Sequence, residues 1–328
     1  MWTPPDLGRF DGRRVVVTGG AGFVGSWVCE RLLDLGAEVV CVDCFLTGSR
    51  NNLTGLVGRP GFTLLEQDLS VGLDVDGPVD HLLHLASPAS PVHYLRMPIE
   101  TMKVGSLGTL HALELAERTG ARFVLASTSE VYGDPHEHPQ PESYWGNVNP
   151  IGPRSVYDEA KRFSEALTMA FRREREVRTG IVRIFNTFGP RMRTDDGRAI
   201  PAFLSQALSG TPLTVAGRGT QTRSLCFVED TVAGILALAV TEHPGPVNIG
   251  SDEETSMLEL AQRIVAMTGS ASTIEFVDLP VDDPQVRRAD ATLARELLGW
   301  APRVPVDEGL KRTIEWFTEQ TEAAALTP

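Results

Sequence analysis

A glycine-rich turn near the N-terminus is the feature that most constrains how this 328-residue chain can fold. The predicted strand 14–17, an arginine followed by three valines, leads into Thr-Gly-Gly-Ala-Gly-Phe-Val-Gly at 18–25, and a helical pattern follows. Glycines permit a tight turn and let the backbone approach a pyrophosphate, which the N-terminus of the next helix then faces. The turn predicts a dinucleotide site formed by Gly19, Gly22, Phe23, Val24 and Gly25.

An aspartate after the second apolar run indicates which dinucleotide is bound. Asp43 directly follows the predicted strand 38–42. A carboxylate at this position usually binds the adenosine ribose diol and would repel the 2′-phosphate of NADP, so we expect NAD. Ligands of open α/β sheets lie at the carboxyl ends of strands, which predicts four further cofactor contacts after the third and fourth strands: Asp68, Leu69, Ala86 and Ser87.

Short apolar runs alternate with longer helical patterns through the first half of the chain. We predict strands at 14–17, 38–42, 62–65, 81–85, 122–126 and 179–184, and helices at 25–35, 102–118 and 155–176. Apolar strands separated by amphipathic helices are typical of a parallel sheet covered on both faces. The expected fold class is therefore α/β, with a doubly wound parallel sheet of the Rossmann type.

The sequence changes character after about residue 186. Turn dipeptides such as Gly-Pro and Asp-Gly become frequent, and arginines accumulate. We predict an NAD-binding domain at 1–186, to which 225–250 returns, and a smaller mixed lobe at 187–328 whose arginines face an anionic substrate. Solvated surface arginines are the alternative.

The net charge excludes some classes of partner and location. The chain carries a formal charge of −13 at pH 7, which argues against nucleic acid and against an anionic membrane surface. No apolar run approaches the roughly 20 residues that cross a bilayer, and the first ten residues are unlike a secretory signal, so we expect a cytoplasmic protein.

Cys41 and Cys44 form a C-x-x-C, but no second ligand pair follows, and we predict no metal site.

Tyr157 and Lys161 lie one helical turn apart in the predicted helix 155–176 and therefore on the same helix face. A phenol ionises near pH 10, too high for a base at neutral pH. A neighbouring ammonium and a positive nicotinamide ring would both lower the pKa of Tyr157. Together with the glycine turn and a strand that ends in Ser127-Thr128-Ser129, the pair predicts a catalytic base.

Several longer segments of the chain are similar to those of a known enzyme family. The chain resembles the extended short-chain dehydrogenase/reductase family from about residue 15 to residue 316, and within it most closely the UDP-glucuronate decarboxylases. Tyr-x-x-x-Lys marks the superfamily, whereas Thr128-Ser129-Glu130 and the arginine that follows Asp-Asp-Pro-Gln are more discriminating. The segments that carry the resemblance are 84–91, 127–135, 144–154, 183–192 and 282–285.

The resemblance implies conversion of UDP-glucuronate to UDP-xylose with internally recycled NAD. NAD⁺ takes hydride from C4 while Tyr157, supported by Lys161, removes the O4 proton that Thr128 positions. The resulting β-keto acid loses CO₂. Arg287 binds the carboxylate, and Glu130 with Ser129 assists decarboxylation and protonation of C5, before hydride returns to C4.

The resemblance also implies a UDP-sugar site and a homodimer. Asn186, Arg191, Thr214 and Arg223 would bind UDP, with Arg223 on the diphosphate, while Tyr94 and Lys103 line the sugar end. Relatives dimerise through a four-helix bundle, here the helices 102–118 and 155–176. An apolar stripe on the second helix fits this bundle, although it could equally cover the sheet: Phe163, Leu167, Ala170 and Phe171.

Three other functions remain open. A UDP-glucuronate 4-epimerase shares the oxidation step, but Glu130 and Arg287 argue against it. Whether a decarboxylase would release its 4-keto product depends on loop closure, which the sequence does not show. A non-catalytic dinucleotide-binding scaffold would be expected to have lost Tyr157 or Lys161, and both residues are present. Two departures from the family pattern are Gly105, where relatives often have asparagine, and Ala216, where tyrosine is common.

Overall fold

The computed structural model describes residues 6–279 and 284–325, so that Asp282 and Asp283 of the segment 282–285 lie outside the described residues. Its strands are β1 (Arg14–Thr18), β2 (Glu38–Asp43), β3 (Phe62–Glu66), β4 (His81–His84), β5 (Arg122–Thr128), β6 (Thr179–Ile184), β7 (Thr187–Phe188), β8 (Leu213–Ala216), β9 (Thr222–Ser224), β10 (Cys226–Phe227), β11 (Val247–Ile249), β12 (Glu254–Ser256), β13 (Ile274–Val277) and β14 (Val286–Arg287). Its α-helices are α1 (Phe23–Asp34), α2 (Pro91–Arg96), α3 (Pro98–Lys103), α4 (Thr109–Thr119), α5 (Ser155–Arg175), α6 (Ala199–Ser209), α7 (Val228–Ala239), α8 (Met257–Thr268) and α9 (Val306–Ala325).

Seven of these strands form one sheet in the order β11-β6-β5-β4-β1-β2-β3, with every neighbouring pair parallel. The strand order reverses between β1 and β4, and ligands of doubly wound sheets bind at this reversal. The predicted fold class is confirmed.

Alternating side chains of β1 show how the sheet is buried on both faces. Val15 and Val17 belong to one hydrophobic cluster with helices α1 and α7, and Val16 belongs to a second cluster with α4. All three valines are fully buried. Burial of each such side chain stabilises the fold by about 1.5–3 kcal/mol, so a strand that is apolar at successive positions requires a layer of helices on each side.

The predicted helix 102–118 is wrong as a single α-helix. The structure ends α3 at Lys103, inserts a π-helical turn at Val104–Gly108 and begins α4 at Thr109. The Thr109 hydroxyl donates a hydrogen bond of 2.8 Å to the Gly105 carbonyl. Two glycines in five residues lower helix propensity and allow the wider turn, which is a common local distortion at functional sites.

Smaller sheets and helices form the C-terminal region. Strand β9 lies between β12, which is antiparallel to it, and β14, which is parallel to it, while β8 pairs with β13. Helices α6 and α8 pack together against β8. The arrangement matters for the site because β14 brings Arg287 beside Arg223 of β9.

The chain returns to the first sheet after leaving it, because β11 pairs with β6 at the edge of the seven-stranded sheet. Helix α7 precedes β11 and packs against α1. The division at residue 186 into a cofactor domain and a substrate lobe stays a prediction. Within the described ranges, no helix has the length and apolar character that would let it cross a membrane.

Candidate active site

A large cavity opens at the carboxyl ends of the strands, where the strand order reverses. Its volume is about 1130 Å³, above the roughly 300–1,000 Å³ of a typical single-ligand site. Every residue that the sequence analysis assigned to catalysis, to the cofactor or to the substrate lines this cavity. The structure therefore brings the predicted residues together, with room for a cofactor and a substrate side by side.

The glycine turn forms a cradle that side chains would fill. Gly19 has φ +71°, and a Cβ placed on it would lie 2.7 Å from the backbone nitrogen of Ala86. A Cβ on Gly25 would lie 2.1 Å from the Gly19 carbonyl oxygen. Gly22 is the N-cap of α1 and supplies no side-chain cap, so the first N–H groups of this helix are available to an anion. This cradle fits the pyrophosphate of NAD.

Asp43 lies at the end of β2 and holds the glycine turn in place. Its two carboxylate oxygens accept hydrogen bonds from the backbone N–H groups of Ala21, at 2.9 Å, and Phe45, at 2.8 Å. Burial raises the pKa of Asp43, although these hydrogen bonds act in the opposite direction. Each carboxylate oxygen has a second lone pair, so Asp43 can still accept hydrogen bonds from a ribose diol in the cavity.

The remaining predicted cofactor residues follow β3 and β4. Asp68 accepts a 2.8 Å hydrogen bond from the Ser70 backbone N–H, and Leu69 is buried. Ala86 and Ser87 come directly after β4 and line the cavity beside the glycine turn. These placements agree with a dinucleotide that extends along the carboxyl edge of the sheet from Asp68 towards β5.

Tyr157 and Lys161 lie on the cavity face of α5, and both are buried. Lys161 Nζ donates a 2.8 Å hydrogen bond to the Ala126 carbonyl and lies 6.0 Å from the centre of the Tyr157 ring. Burial lowers the pKa of Lys161 to about 8, so this side chain is still largely an ammonium at pH 7.

The expected lowering of the Tyr157 pKa is wrong for the protein by itself. Burial is the largest effect and raises this pKa, while a hydrogen bond with Thr128 and the charge of Arg198 lower it by less. Desolvation disfavours a phenolate unless a positive charge compensates for it. A bound cofactor with a positive nicotinamide ring is such a charge.

Tyr94 packs face to face against Tyr157, with ring centroids 5.1 Å apart and an angle of 5° between the ring planes. Tyr94 is 1% exposed, and its hydroxyl is buried without a hydrogen-bond partner among the described residues. An unpaired buried hydroxyl is costly, and this one lines the cavity where a sugar hydroxyl can satisfy it. The stack also fixes the plane of the Tyr157 ring.

Glu130 is held between two arginines. Arg287 Nη1 donates to Glu130 Oε1, and Arg154 Nη2 donates to Glu130 Oε2 at 2.8 Å. Burial by itself would raise the pKa of Glu130, but the charges and hydrogen bonds of both guanidinium groups lower it to about 2. Glu130 is therefore ionised at neutral pH, and its charge is compensated by arginine.

The predicted UDP residues line the side of the cavity formed by the C-terminal region. Arg223 of β9 is 8% exposed and lies in register with Arg287 of β14. Thr214 is bonded to Gln206, whose side-chain amide donates to the Thr214 hydroxyl at 2.8 Å. Asn186, immediately before β7, lines the same wall, and Lys103 is exposed at the end of α3.

Arg191 is positioned differently from the other predicted UDP residues. Its Nη2 donates a 2.6 Å hydrogen bond to Glu30, and its guanidinium lies 4.6 Å from the centre of the Trp27 ring. Both partners belong to α1, the helix that follows the glycine turn. Arg191 has φ +73°, an unusual conformation for a residue other than glycine. Its charge therefore lies beside the cofactor cradle.

Sequence reasoning did not assign three arginines of the cavity wall to the site: Arg154, Arg193 and Arg198. Arg154 pairs with Glu130, and Arg198 donates from Nη2 to Asp196 at 2.8 Å. Arg154 lies three residues before Tyr157 in a segment that carried the family resemblance, and this position was the available signal. Nothing in the sequence distinguished Arg198 from the other arginines near it.

Gly105 packs directly against the helix that carries Tyr157. A Cβ on Gly105 would lie 2.7 Å from Ala160 Cβ and 3.3 Å from the Ala160 carbonyl oxygen. Ser164 donates a 2.7 Å hydrogen bond to the Gly105 carbonyl. The close approach of the π-helical turn to α5 therefore requires glycine, and an asparagine here would need a different local backbone.

Replacement of Gly105 by asparagine should destabilise the protein. We expect Gly105→Asn to lower the free energy of unfolding by about 1–3 kcal/mol, because the new side chain overpacks the contact with Ala160. Urea denaturation would measure the change. Gly55→Asn is the control, because a Cβ on Gly55 meets no atom within 4 Å. Equal stabilities of the two variants would contradict this account.

Ala216, the second departure from the family pattern, ends β8 and lines the cavity. Its carbonyl accepts a 2.9 Å hydrogen bond from the Gln221 side chain. The methyl side chain leaves space in the cavity wall that a tyrosine ring would occupy.

Comparisons with known proteins identify the family of this chain. Residues 15–250 match the model of the NAD dependent epimerase/dehydratase family. UDP-glucuronic acid decarboxylase 1 of Danio rerio is 48% identical over 319 residues, which are 97% of this chain and 76% of that protein.

Solved structures show the same fold. The epimerase Mth375 of Methanothermobacter thermautotrophicus superimposes with a TM-score of 0.89 at 29% identity, over 98% of this chain and 96% of that chain. UDP-glucuronic acid 4-epimerase of Bacillus cereus, solved with UDP-glucuronic acid and NAD, has a TM-score of 0.84 at 27% identity, over 94% and 99% of the two chains. The glycine cradle, the Tyr157–Lys161 pair and these matches lead to one assignment: the chain belongs to the NAD dependent epimerase/dehydratase family.

Proposed function

We propose that this protein decarboxylates UDP-glucuronate to UDP-xylose, with NAD recycled within each turnover. The observation that carries the proposal is the Glu130 carboxylate held by Arg287 and Arg154 in the same cavity as Tyr157 and Lys161. Relatives at 48% identity over 97% and 93% of the chain are named UDP-glucuronic acid decarboxylase. The cavity combines a base for alcohol oxidation with charged groups for a carboxylate.

The first chemical task of the protein is to remove a proton from the sugar. Tyr157 accepts the proton of the O4 hydroxyl, Thr128 orients that hydroxyl through its side-chain oxygen, and the Lys161 ammonium stabilises the phenolate. NAD, held by the glycine cradle and Asp43, would accept hydride from C4 and later return it. Burial of Tyr157 excludes water from this proton transfer.

The second task is to release CO₂. Once C4 is a ketone, the sugar is a β-keto acid, so the C5–C6 bond can break with its electron pair moving into the carbonyl as an enolate. Arg287 binds the substrate carboxylate, and Glu130 orients Arg287 through their ion pair. Because the two arginines compensate for the negative charge of Glu130, the substrate carboxylate can lie near Glu130 with less repulsion between the two negative charges. Ser129, buried beside Glu130, completes this side of the cavity.

The arginine pair on β9 and β14 supports a substrate with two anionic groups. Arg223 and Arg287 are neighbours in register, and both line the cavity. A planar guanidinium suits both phosphate and carboxylate. In the proposed arrangement Arg223 binds the diphosphate of UDP and Arg287 the glucuronate carboxylate. Asn186 and Thr214 bind the uridine, while Tyr94 and Lys103 contact the sugar.

A UDP-glucuronate 4-epimerase is the second candidate. The likeness to the Bacillus cereus 4-epimerase, solved with UDP-glucuronic acid, supports it. This chain is 27% identical to that epimerase but 48% identical to the decarboxylase of Danio rerio, and this difference favours decarboxylation. A decarboxylase that releases its 4-keto product, and a non-catalytic dinucleotide-binding scaffold, are the remaining alternatives.

Proton NMR in D₂O separates these functions. The purified protein is incubated with UDP-glucuronate, first without and then with added NAD. We expect UDP-xylose that carries deuterium at C5, because the C5 proton comes from solvent. UDP-galacturonate would show an epimerase, and a free 4-keto pentose would show release of the intermediate. Unchanged substrate with NAD present would overturn the proposal and favour the scaffold.

We further propose that two copies dimerise through a four-helix bundle. Exposed apolar side chains lie on α3, the π-helical turn and α5, which pack against one another: Ile99, Met102, Leu107 and Phe163. Leu167 and Phe171 of the predicted stripe pack against the sheet cluster instead. Apolar side chains grouped on a surface are typical of protein interfaces.

A charge in this patch should separate the copies. We expect Phe163→Glu to shift the protein from dimer to monomer in sedimentation velocity at micromolar concentration, because burial of a carboxylate in an apolar interface is costly. Phe276→Glu is the control, since Phe276 is also exposed but belongs to β13. A wild-type monomer, or an unchanged dimer of Phe163→Glu, would contradict the bundle.

A further inference from the structure

A second cavity, here called the side cavity, shares two residues with the active-site cavity. Its volume is about 410 Å³, and Glu130 and Arg154 line both cavities. Three residues of its rim, Asp134, Asn147 and Gln285, are exposed to solvent. The Glu130–Arg154 ion pair therefore stands between the reacting sugar and a space that solvent can enter.

Asp158 lines the side cavity but not the active-site cavity. It directly follows Tyr157 in α5 and is 6% exposed. Its Oδ1 atom is buried and has no hydrogen-bond partner among the described residues. A buried carboxylate without such partners is unstable unless it holds a proton or meets water.

The charges around Asp158 favour its protonated form. Burial and the negative charge of Glu130 raise the pKa of Asp158 to about 7, and Glu159 acts in the same direction. Arg154 and Arg287 oppose this shift. Glu130, with a pKa near 2, is ionised under the same conditions. The side cavity thus contains one carboxyl group that holds a proton near neutral pH, beside a carboxylate that stays ionised while both arginines hold it.

The proposed reaction requires a proton from outside the active-site cavity. Breakage of the C5–C6 bond releases CO₂ and leaves an enolate, so each turnover must add one proton to C5. With a cofactor and a UDP-sugar bound, the active-site cavity would leave little room for bulk water at the sugar. The side cavity offers a separate route for this proton, because Glu130 lines it as well as the active-site cavity.

We propose that the side cavity delivers solvent protons to C5 and that Asp158 holds the proton that Glu130 passes on. The inference rests on the proposed decarboxylase function. When Arg287 turns to the substrate carboxylate, Glu130 loses part of the positive charge that holds it ionised and its pKa rises, so a proton of Asp158 can reach it through water in the side cavity. Glu130 transfers this proton to C5 as the enolate returns to the ketone, and water in the side cavity reprotonates Asp158. Asp158 acts through Glu130 and does not contact the sugar.

Asp158→Asn tests the proposal with Glu159→Gln as its matched control. Both changes remove a carboxylate from the same helix, but Glu159 lines neither cavity. Single-turnover absorbance at 340 nm measures C4 oxidation, and NMR measures UDP-xylose and released 4-keto pentose. For Asp158→Asn we expect oxidation within about threefold of wild type, kcat for UDP-xylose lower by about 10²-fold, and more released 4-keto pentose.

A second variant separates proton supply from structure. Asp158→Ala opens space beside Glu130, and we expect added formate, a small carboxylic acid, to restore UDP-xylose formation at least tenfold. Formate should have no effect on Glu159→Gln. An Asp158→Asn variant equal to Glu159→Gln would overturn the inference, as would an oxidation step slowed as much as product formation.

The wild-type protein provides a test that needs no substitution. The pKa of Asp158 is raised, so its proton is present below about pH 7 and lost above it. We expect the ratio of UDP-xylose to released 4-keto pentose to fall as pH rises from 6 to 9. A constant ratio would overturn the inference. Absence of any UDP-xylose from wild type would instead overturn the proposed function, and the inference with it.

Discussion

Replacement of Tyr157 by phenylalanine is expected to lower kcat for UDP-xylose formation by about 10³-fold, within the range observed when a general base is lost. The ring and its stack on Tyr94 remain, so only the hydroxyl that accepts the O4 proton is removed. We expect the Kd of UDP-glucuronate, measured by isothermal titration, to change by less than about threefold, because Arg223 and Arg287 are unaffected.

Tyr144→Phe is the control for this experiment. Tyr144 stacks against Tyr132 and accepts a 3.0 Å hydrogen bond from the His136 backbone, and it does not line the active-site cavity. Its variant should keep kcat within about twofold of wild type. A Tyr157→Phe variant that retains a tenth of the wild-type kcat would exclude Tyr157 as the base.

Removal of the Arg287 charge should affect both stability and chemistry. Side chains of Arg287 and Glu130 are 3% and 17% exposed. Loss of one partner from a buried pair costs about 3–5 kcal/mol when the other charge is left unpaired. Glu130 keeps its ion pair with Arg154, so we expect Arg287→Met to lower the free energy of unfolding by less, about 1–3 kcal/mol in urea denaturation. We expect decarboxylation to fall by about 10²-fold or more, because the substrate carboxylate loses its guanidinium partner.

The double variant Arg287→Met, Glu130→Gln distinguishes the two effects. The double variant no longer contains the poorly compensated Glu130 charge, but Arg154 also loses its ion pair with Glu130. Stability should therefore recover only in part relative to Arg287→Met, by about 1 kcal/mol. Decarboxylation should stay low, because the carboxylate site is still absent. Arg288→Met is the surface control: Arg288 pairs with Glu254 at 3.5 Å and is 34% exposed, so its loss should cost no more than about 1 kcal/mol. Recovery of activity in the double variant would show that Arg287 serves only to neutralise Glu130.

Most of the doubly wound sheet could be predicted because its signals are local. The predicted strand 179–184 matches β6, and the other five predicted strands match β1 to β5 within two residues at either end. Strands buried on both faces are short apolar runs, and such runs are visible in the sequence. Helix α5 was predicted to within one residue for a similar reason, since a long amphipathic period identifies it.

Local sequence patterns gave wrong predictions where contacts between helices determine the backbone conformation. The segment 102–118 has a helical pattern, yet it contains the π-helical turn because the Gly105 carbonyl and Cα pack against Ala160 and Ser164 of another helix. For the protein without its cofactor, the Tyr157 pKa is raised and not lowered, for a related reason. Spacing shows that Lys161 is near, but the cost of burial, which is larger, depends on what surrounds the ring.

The sequence by itself determined the fold class and the cofactor, and it predicted many of the residues that line the cavity, since each of these follows from a local motif or from the resemblance. Only the tertiary structure showed that Glu130 is ionised between Arg154 and Arg287 and that Asp158 lines a second cavity. Glu130 and Arg287 are 157 positions apart in the chain. Their contact depends on the pairing of β14 with β9 beside the end of β5, and no periodicity within either segment encodes that arrangement.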